Sequence, residues 1–531
     1  MQMSVGRASL FMIATLIASR FLGWLRLSVV GAQFGQSPEL DAFWAAFRIP
    51  DTLFNLLVAG ALASAFIPVF TSYLAKERED EAWRVASSVM NAIVILLIAI
   101  SGLLWILAPW IQPALAQFPD PAQRDLSVRL ARIMLFSPIF MGLSALFTGI
   151  LNSYRQFLSG AIAPLVYNLV IILFAFFASP FLGIEALAWG TVAGALMMWL
   201  VQVPELTFRR TRYKLALDLG HPGVREIVQL TIPRTLALGA VQLIFIVDTF
   251  LAAKLPEGSL TALIYAQQLM QLPLGVFSIA ISAAVFPTLA HYAAQGMQSR
   301  MRDILQTAIR WILFLTLPTV VMMIVLRRPI VNLLFQYGRF GPEAREATQE
   351  AFLFYSLGLA GHALIQILTR AYYASKDTRT PLALTLVSIG TNIVLSVLLA
   401  PLYGINGLAL ANSIATLAEA ALFFALLAPR ARLKIVGLGT ASLKVIAASL
   451  LMGIAMFAFI RATNITVDLQ QTKVGLLLQT AVAVAVGVVA YVGAATVFRV
   501  SELAEITAAV RSRLGTRTSR SSRSNEPPAS G

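Results

Sequence analysis

Two arginines interrupt the first apolar segment of the chain, at positions 20 and 26 of "ASLFMIATLIASRFLGWLRLSVVGAQF" (residues 8–34). A charge at the centre of a bilayer costs about 3 kcal/mol on insertion scales, so such a side chain generally faces a partner or a water-filled cavity. If either arginine marked the end of a membrane span, the apolar stretch beside it would fall short of the roughly 20 residues that a span needs. We therefore predict that at least Arg20 lies inside the span.

The spacing and surroundings of this pair favour an anionic ligand. Arg20 and Arg26 are six residues apart, which places them about 120° apart on an ideal helix, and a broad cavity satisfies that arrangement better than two narrow contacts. No Asp or Glu precedes Glu39. Guanidinium groups bind phosphate oxygens in a bidentate geometry, so the pair predicts a substrate that carries phosphate or pyrophosphate. The alternative is that each arginine pairs with an acid on a neighbouring helix.

A polar stripe follows in the second segment, "LDAFWAAFRIPDTLFNLL". Asp41, Arg48, Asp51 and Asn55 fall within about 80° of one another at helical pitch and share a face. Pro50 should kink the helix along this stripe. The stripe is either a self-neutralised structural ion pair or a set of substrate ligands that includes Arg48.

The second half of the chain has polar side chains deep in apolar segments. They are Asp248, Asn392 with Ser396 one turn away, and Asn412 with Glu419 on a shared face. Such oxygens could hold Na⁺, or the carboxylates could carry protons for coupling. Equally, amides and hydroxyls hold membrane helices together by hydrogen bonds.

One further helix carries His362, Gln366 and Arg370 at four-residue steps. These side chains line a cavity, or Arg370 only anchors the cytoplasmic end of the helix. The chain has 3 His and no Cys, and no P-loop is present, so we find no residues suited to a metal site, a catalytic triad or nucleotide hydrolysis. We predict no enzyme activity.

The elements that position these residues are membrane helices. The 531 residues are 58% hydrophobic and 12% charged, about half the charged share of a soluble protein, which indicates an all-α integral membrane protein. The polar gaps predict about fourteen transmembrane helices, at 8–34, 41–74, 83–112, 126–153, 158–179, 183–208, 224–253, 259–291, 304–326, 346–374, 380–401, 404–429, 436–461 and 474–498.

The net charge of +15 lies mostly in short loops beside these segments, where it sets topology and attracts anionic lipids rather than nucleic acid. With both termini in the cytoplasm, the inside loops are rich in Lys and Arg, and the outside gaps at 36–39, 180–185 and 402–406 have none. The exception is one predicted outside connection, which contains Arg327, Arg328, Arg339 and Arg345. We predict a multi-pass protein of the cell membrane.

An internal repeat divides the chain. "PFLGIEALA" (180–188) matches "PLYGINGLA" (401–409), and "AFIPVFTSYL" (65–74) matches "AVFPTLAHYA" (284–293) more weakly, both about 220 residues apart. An offset of six helices keeps the orientation, so we predict two parallel-related lobes with a substrate site between them, as in alternating-access transporters. A duplicated channel or scaffold is the alternative. The predicted parts are two six-helix lobes (1–215 and 216–430), an extra helix pair (431–500) and a disordered basic tail (501–531).

Seven motifs, in this order, resemble the MurJ (MviN) family of lipid II flippases in the multidrug/oligosaccharidyl-lipid/polysaccharide exporter superfamily: "SRFLGWLR", "DAFWAAFRIP", "GALASAFIPVF", "ILNSYRQF", "FPTLA", "LFQYGRF" and "YYASKDTRTP". The resemblance covers nearly all of the chain up to about residue 500. It implies fourteen helices, with two six-helix lobes in a V around a central cationic cavity. It also implies that the last two helices form a groove for the polyprenyl tail.

The same resemblance implies roles for single residues. Arg20 and Arg26 match the essential arginines of the first helix, and Asp41 matches a functional aspartate early in the second. The sodium site of the family implies Asp248, Asn392 and Asn412 as ligands.

Two arginines of the family are replaced, by Phe54 and by Gln268. Arg48 or Arg234 is the candidate substitute, and the exact cargo is open on this account. Gln268 and Arg234 are therefore kept among the predicted substrate-binding residues.

We therefore predict a flippase for a polyprenyl-pyrophosphate-linked glycan precursor, with lipid II as the expected cargo and Na⁺ or H⁺ as the possible coupling ion. The predicted partners are this glycolipid, anionic lipids and wall-synthesis proteins, without nucleic acid. Three alternatives remain: an exporter of another polyprenyl-linked glycan, a drug exporter of the same superfamily, or a wall-synthesis scaffold that does not transport.

Overall fold

The computed structural model describes residues 5–59, 62–207, 212–466 and 472–507. Within these ranges the chain is helical, with short π-helical segments and no strands. The helices of the first half are α1 (Val5–Phe34), α2 (Pro38–Phe54), α3 (Leu62–Ala75), α4 (Glu79–Leu115), α5 (Pro121–Met134), α6 (Ser137–Ser153), α7 (Leu158–Leu173), α8 (Ser179–Leu182), α9 (Glu185–Leu200) and α10 (Val203–Thr207).

The second half continues in the same way. Its helices are α11 (Pro222–Ala252), α12 (Ser259–Pro273), α13 (Ala280–Ala294), α14 (Gln298–Phe335), α15 (Pro342–Leu357), α16 (Leu359–Ala374), α17 (Arg379–Tyr403), α18 (Ile405–Arg430), α19 (Ile435–Thr466) and α20 (Lys473–Val497).

The helices have the length and hydropathy of membrane spans. In the described ranges, 10 helices or runs of consecutive helices are long and apolar enough to cross a bilayer. The predicted all-α membrane architecture is confirmed, and each predicted segment contains at least one helix. The number fourteen stays a prediction, because the remaining segments do not meet the length and hydropathy requirement within the described residues.

The internal repeat is visible in the backbone as well as in the sequence. Four pairs of residues adopt the left-handed conformation at separations of 219 to 223 residues, and both members of each pair lie at the ends of corresponding helices: Gly35 and Gly258, Glu77 and Gly296, Arg155 and Lys376, and Gly183 and Gly404. Left-handed backbone is costly for any residue with a Cβ atom, so its recurrence at one spacing reflects a shared chain path.

The repeat also extends to an unusual helix pattern. α2 leads into a π-helical segment at Asn55–Ala59 and then into α3, which contains Pro68. α12 leads into a π-helical segment at Leu274–Ile279 and then into α13, which contains Pro287. π-helical turns are rare, so their matched positions identify these two regions as copies of one unit.

Contacts divide the chain into two compact units that are discontinuous in sequence. Unit 1 comprises residues 1–267, 334–351 and 389–411. One of its apolar clusters joins α3, α4 and α6 through side chains such as Phe66, Phe70, Trp83 and Ile150. Segments of the second sequence half are therefore part of the unit that contains the first half, and the predicted lobe boundaries at 215 and 430 stay a prediction.

Unit 2 comprises residues 268–333, 352–388 and 412–531. Its apolar cluster joins α14, α16 and α18, and a second cluster joins α14 to the pair α19–α20. Residues 501–507, which the sequence assigns to a disordered tail, are helical, and Glu502 accepts a hydrogen bond from Arg310 of α14 at 2.5 Å. The rest of the predicted tail, 508–531, lies outside the described residues.

Candidate functional site

The first-helix arginines lie on α1 with different surroundings. The Arg26 guanidinium carbon is 6.0 Å from the ring centroid of the buried Tyr167 on α7, and the two side chains are within hydrogen-bonding reach. Arg20 is exposed, and it forms no hydrogen bond or ion pair within the ranges that the structure describes. The positive charge of Arg20 is therefore available to a ligand.

The charged stripe on α2 is largely occupied by protein partners. Arg48 lies 3.7 Å from the Asp51 carboxylate, and its Nε donates to Thr249 Oγ1 at 3.2 Å. Asn55 hydrogen bonds to Asp51, which also lies in the field of Arg26. Of the two interpretations of this stripe, the geometry supports an ion-pair network. Asp51 links it to Arg26 of α1.

Asp41 is buried at the first turn of α2 and reaches across to α12. One carboxylate oxygen accepts the Gly258 N–H at 2.8 Å. The other accepts the Thr261 N–H at 2.8 Å and the Thr261 hydroxyl at 2.6 Å. These donors lie at the start of α12, Gly258 just before the helix and Thr261 in its first turn, where N–H groups have no partners within the helix. In this conformation Asp41 caps α12, and the geometry gives no support to the prediction that it binds substrate.

The end of α1 is held by the segment that joins α14 and α15. The Arg339 N–H donates to the Ala32 carbonyl at 2.8 Å. Just beyond α1, the Gln36 amide donates to Thr348 Oγ1 at 2.8 Å and to the Ala344 carbonyl at 3.0 Å. This segment contains the "LFQYGRF" motif, so the motif has a structural role here.

Tyr265 completes this set of contacts. It is fully buried, and its hydroxyl donates to the Leu27 carbonyl at 3.0 Å, one residue beyond Arg26. We call residues 27–41, 258–265 and 338–348 the collar. All three segments belong to unit 1, and they come from both sequence halves.

Three predicted cation ligands form a second polar group in unit 1. Asp248 is 5% exposed, Asn392 1% and Ser396 0%, and Ser396 lies within reach of the Asp248 carboxylate. Within the described ranges, Asp248 Oδ1, Asn392 Oδ1 and Ser396 Oγ have no hydrogen-bond partner of standard geometry. Unpaired buried oxygens are costly, so these atoms fit a small cation with oxygen ligands.

Asn412, the other predicted ligand, belongs to unit 2. Its Oδ1 lies 3.2 Å from His362 Nε2, and Thr416 Oγ1 lies 3.4 Å from the same nitrogen. The predicted grouping of Asn412 with Asp248 and Asn392 stays a prediction. Gln366 and Arg370 are half-buried on the same helix as His362.

The positions where the family motif is altered have different environments. Phe54 packs in an apolar cluster with Leu53 and Leu97, so no charge is missing from a polar pocket at this place. Gln268 is half-buried on α12. Arg234 lies on α11, and its side chain is outside the described residues.

Sequence reasoning missed several residues that complete these sites. Tyr167 and Tyr265 are buried tyrosines in apolar segments, a signal that the sequence offers, because a buried phenol hydroxyl generally finds a partner. Thr249 and Thr261 follow no pattern that separates them from other threonines in membrane helices.

Comparison with known proteins agrees with these observations. A family model described as lipid II flippase MurJ matches residues 30–500. A probable lipid II flippase MurJ of Rhizobium meliloti is 32% identical over 429 residues, 77% of this chain and 78% of that protein. Another, of Bdellovibrio bacteriovorus, is 30% identical over 513 residues, 94% of this chain and 96% of that protein.

Solved structures extend the likeness to the fold. A lipid II flippase MurJ in an inward closed conformation matches with a TM-score of 0.76 and 25% identity, over 92% of this chain and 98% of that one. An inward-facing multidrug resistance MATE family transporter matches with a TM-score of 0.66 and 15% identity, over 81% of this chain and 99% of that one, which shows a shared fold alone. Since the family model spans most of the sequence, and relatives of 30% identity or more align over most of its length, the chain belongs to the MurJ family of lipid II flippases.

Proposed function

We propose that Arg20 and Arg26 bind the pyrophosphate of lipid II as this flippase transfers it from the inner to the outer leaflet. Membership of the family makes the chain a lipid II transporter and not an enzyme. The observation that carries the assignment to these residues is the exposed Arg20 without an internal partner, on the same helix as a half-buried Arg26. Pyrophosphate offers several anionic oxygens, and charge-assisted hydrogen bonds to them are worth about 1.5–3 kcal/mol each.

The network around Asp51 orients the second arginine. Tyr167 contacts Arg26 from one side, and Asp51 attracts it while being held by Arg48 and Asn55. Fixed partners reduce the side-chain entropy that Arg26 loses when it binds an anion. Arg48 thus acts on Arg26 indirectly, through Asp51. Gln268 and Arg234 are proposed as further ligands of the substrate.

The collar serves as a gate in this account. It joins helices of both sequence halves through Asp41, Gln36 and Tyr265 and is intact in this conformation. With both termini in the cytoplasm, the collar lies at the outer face, so an intact collar corresponds to a closed exit. The match to an inward closed structure supports this assignment.

A cation at Asp248, Asn392 and Ser396 is the proposed coupling ion, with Na⁺ or H⁺ as the candidates. The ion would supply positive charge that moves with the membrane potential, about 2.3 kcal/mol per charge per 100 mV. Arg48 acts electrostatically on Asp248 and also donates to the neighbouring Thr249. A bound cation therefore competes with Arg48 for the same carboxylate, which links this site to the arginine network.

The distribution of positive charge is the basis for proposing further partners, namely anionic lipids and wall-synthesis proteins. Several cytoplasmic-side arginines are already paired, such as Arg212 with Asp80 at 2.6 Å and Arg84 with Asp218 at 2.8 Å. The hydrogen bond to Asp80 raises the pKa of the Arg212 guanidinium above its ordinary value, so this side chain stays charged. The basic residues of 508–531 are the proposed contact with anionic lipids, and wall-synthesis proteins are proposed partners at the same face.

The test is complementation of a bacterial strain depleted of its own lipid II flippase, together with an assay for lipid II accessible in the outer leaflet. We expect the wild-type chain to rescue and Arg20→Ala/Arg26→Ala to fail while it inserts at a normal level. Arg129→Ala, an exposed arginine paired with Glu185 at 3.7 Å, is the matched control and should rescue. Rescue by the double variant contradicts pyrophosphate binding and favours a scaffold that does not transport.

A further inference from the structure

Unit 2 contains a buried acid that the transport scheme above does not use. Glu419 lies on α18, a candidate span of 26 residues, and is 8% exposed. It lies eleven positions before Arg430 at the end of the helix, about 16 Å along the axis, and therefore well inside the span.

The immediate partners of Glu419 are hydroxyl groups. Thr385 Oγ1 of α17 donates to Glu419 Oε1 at 2.8 Å. Ser388, one turn further along α17, lies within hydrogen-bonding reach of the same carboxyl group. Ser388 Oγ also lies 3.4 Å from the Ala415 carbonyl, to which it can donate. A hydroxyl that donates elsewhere has lone pairs left, so Ser388 can accept a hydrogen bond from the acid form of Glu419.

Three other acids of low exposure are compensated by N–H groups or by an arginine, whereas Asp248, like Glu419, forms no ion pair within the described ranges. Asp41 accepts two backbone N–H groups and a hydroxyl, Asp51 pairs with Arg48, and Glu502 pairs with Arg310. Within the described ranges, Glu419 forms no ion pair. An ionised carboxylate without a cation is expensive at this depth, whereas the neutral acid needs only the hydrogen bonds that Thr385 and Ser388 provide.

The titratable groups on the neighbouring helices contact other partners. On α16, His362 faces Asn412 and Thr416, and the Tyr372 hydroxyl points to the Phe423 carbonyl at 3.4 Å. Arg370 is half-buried on α16. On α17 the charged residue is Arg379, at the start of the helix. On α14, which packs in the same apolar cluster as α18, Arg302 pairs with Asp303 and Arg310 with Glu502. None of these forms a hydrogen bond or ion pair with Glu419 among the described residues.

We propose that Glu419, with Thr385 and Ser388, is a proton-binding site separate from the Asp248 group, and that the conformation described here holds the proton. The proton stays covalently bound to a carboxyl oxygen of Glu419, whose O–H donates a hydrogen bond to Ser388, while Thr385 donates a hydrogen bond to the other oxygen. Release of the proton leaves a charge that this packing does not stabilise, so proton loss favours a different arrangement of the span. The inference rests on the proposed transport function, because it makes the proton a second input to the same cycle.

The experiment measures conformation directly as a function of pH. The chain has no cysteine, so Phe181→Cys with Leu402→Cys introduces a unique label pair at two matched turns, where the native side chains are 86% and 73% exposed. Distances between spin labels are recorded in lipid nanodiscs at pH 5.5 and pH 8.5. We expect the distance distribution of the labelled parent to change with pH, and Glu419→Gln to give the low-pH distribution at both values.

The control variants separate this site from other titratable groups. His362→Gln should keep the pH response of the parent. Thr385→Val, which retains the carboxyl group and loses one donor, should shift the midpoint of the response and guards against a misfolded glutamine variant. A parent without pH response, or a response that persists in Glu419→Gln, overturns the proposal, as does an unchanged midpoint in Thr385→Val.

Lipid II binding distinguishes the two proposals. Arg20→Ala/Arg26→Ala should lose binding of purified lipid II and keep the pH response of the labels. Glu419→Gln should bind lipid II at pH 5.5 with the affinity of the parent. Loss of the pH response in the arginine variant would contradict a separate proton site, whereas normal binding in that variant would contradict the pyrophosphate assignment alone.

Discussion

The two copies of the repeated unit share a backbone and differ in charge. α2 and α12 each lead into a π-helical segment and then into a proline-containing helix, at an offset of 219 residues. At this register Arg48 and Asp51 of the first copy correspond to Gln267 and Met270 of the second. α12 contains no charged residue at all, although α2 contains four. Duplication supplied the scaffold, and the charge network specialised one copy.

This difference explains why the second copy depends on the first. The first copy has four charged residues in α2, and one of them, Asp41, caps the second copy at Gly258 and Thr261. The second copy has few polar groups in α12 and receives its cap from outside. The charged copy and the uncharged copy are therefore in direct contact in the collar, through the hydrogen bonds of Asp41.

The largest effect is expected from breaking that contact. Asp41→Ala removes three hydrogen bonds and leaves buried N–H groups of α12 unpaired, which should cost about 2–4 kcal/mol. Thermal unfolding of the purified protein should show a marked loss of stability. Thr261→Val removes one donor and should cost about 1 kcal/mol. A stability change in Asp41→Ala no larger than that in Thr261→Val would contradict the cap.

Much of this could be predicted from the sequence. Apolar periodicity and polar gaps give the helices, and the arginines of α1 are recognisable because no acid lies nearby in the chain. The role of Asp41 could not be predicted, since its donors are more than 200 residues away. The same holds for Tyr265, whose contact with Leu27 depends on how the copies pack. The repeat was visible in two short motifs, one of which contains the left-handed pair Gly183 and Gly404. The pairs Glu77 with Gly296 and Arg155 with Lys376 join residues of different types, so the sequence alone did not connect them.

The second-largest effect is expected at the cation site. The carboxylate of Asp51 is paired with Arg48, whereas the carboxylate of Asp248 has no ion pair within the described residues, so the two acids should respond differently to sodium. Sodium should raise the unfolding temperature of the wild-type chain relative to choline, by an amount that grows with the logarithm of concentration above the dissociation constant. Asp248→Asn should abolish this increase. Asp51→Asn, which alters a carboxylate already paired with Arg48, should retain it. An increase that survives in Asp248→Asn would exclude this carboxylate as a ligand.

The matched turns test whether the copies are equivalent where charge is not involved. Gly183 and Gly404 have φ of 57° and 58°, and an added Cβ would meet no atom within 4 Å at either position. Gly183→Ala and Gly404→Ala should each cost about 1–2 kcal/mol from backbone strain alone. We expect the two unfolding temperatures to fall by similar amounts. Unequal losses would show that the turns have diverged in energy as well as in sequence.

The smallest effect is a dependence on pH at a helix start. Asp377 accepts the Thr380 N–H at 3.0 Å, the Thr380 hydroxyl at 2.7 Å and the Arg379 N–H at 3.1 Å, and these bonds lower the pKa of its carboxyl group. The stabilisation is thus present above the ordinary aspartate value of about 3.9 and is lost as pH falls through the lowered value.

Asp377→Asn should therefore reduce the free energy of unfolding slightly at pH 7, by less than about 1 kcal/mol for a half-buried cap near the surface. The difference from wild type should shrink as pH falls below 4. The corresponding position of the first copy, Gln156, is an amide, and Gln156→Asn should show no such dependence on pH. A constant difference between Asp377→Asn and wild type from pH 7 to acid would contradict a carboxylate cap.

Binding of purified lipid II, compared with an otherwise identical lipid that lacks the pyrophosphate, addresses the role of the charged copy without the complications of a living cell. The wild-type protein should prefer the pyrophosphate lipid by a factor of about 100 or more, as two charge-assisted contacts imply. Arg20→Ala/Arg26→Ala should bind the two lipids equally and weakly. A double variant that still prefers the pyrophosphate lipid by the wild-type factor would contradict the assignment of head-group recognition to the first-helix arginines.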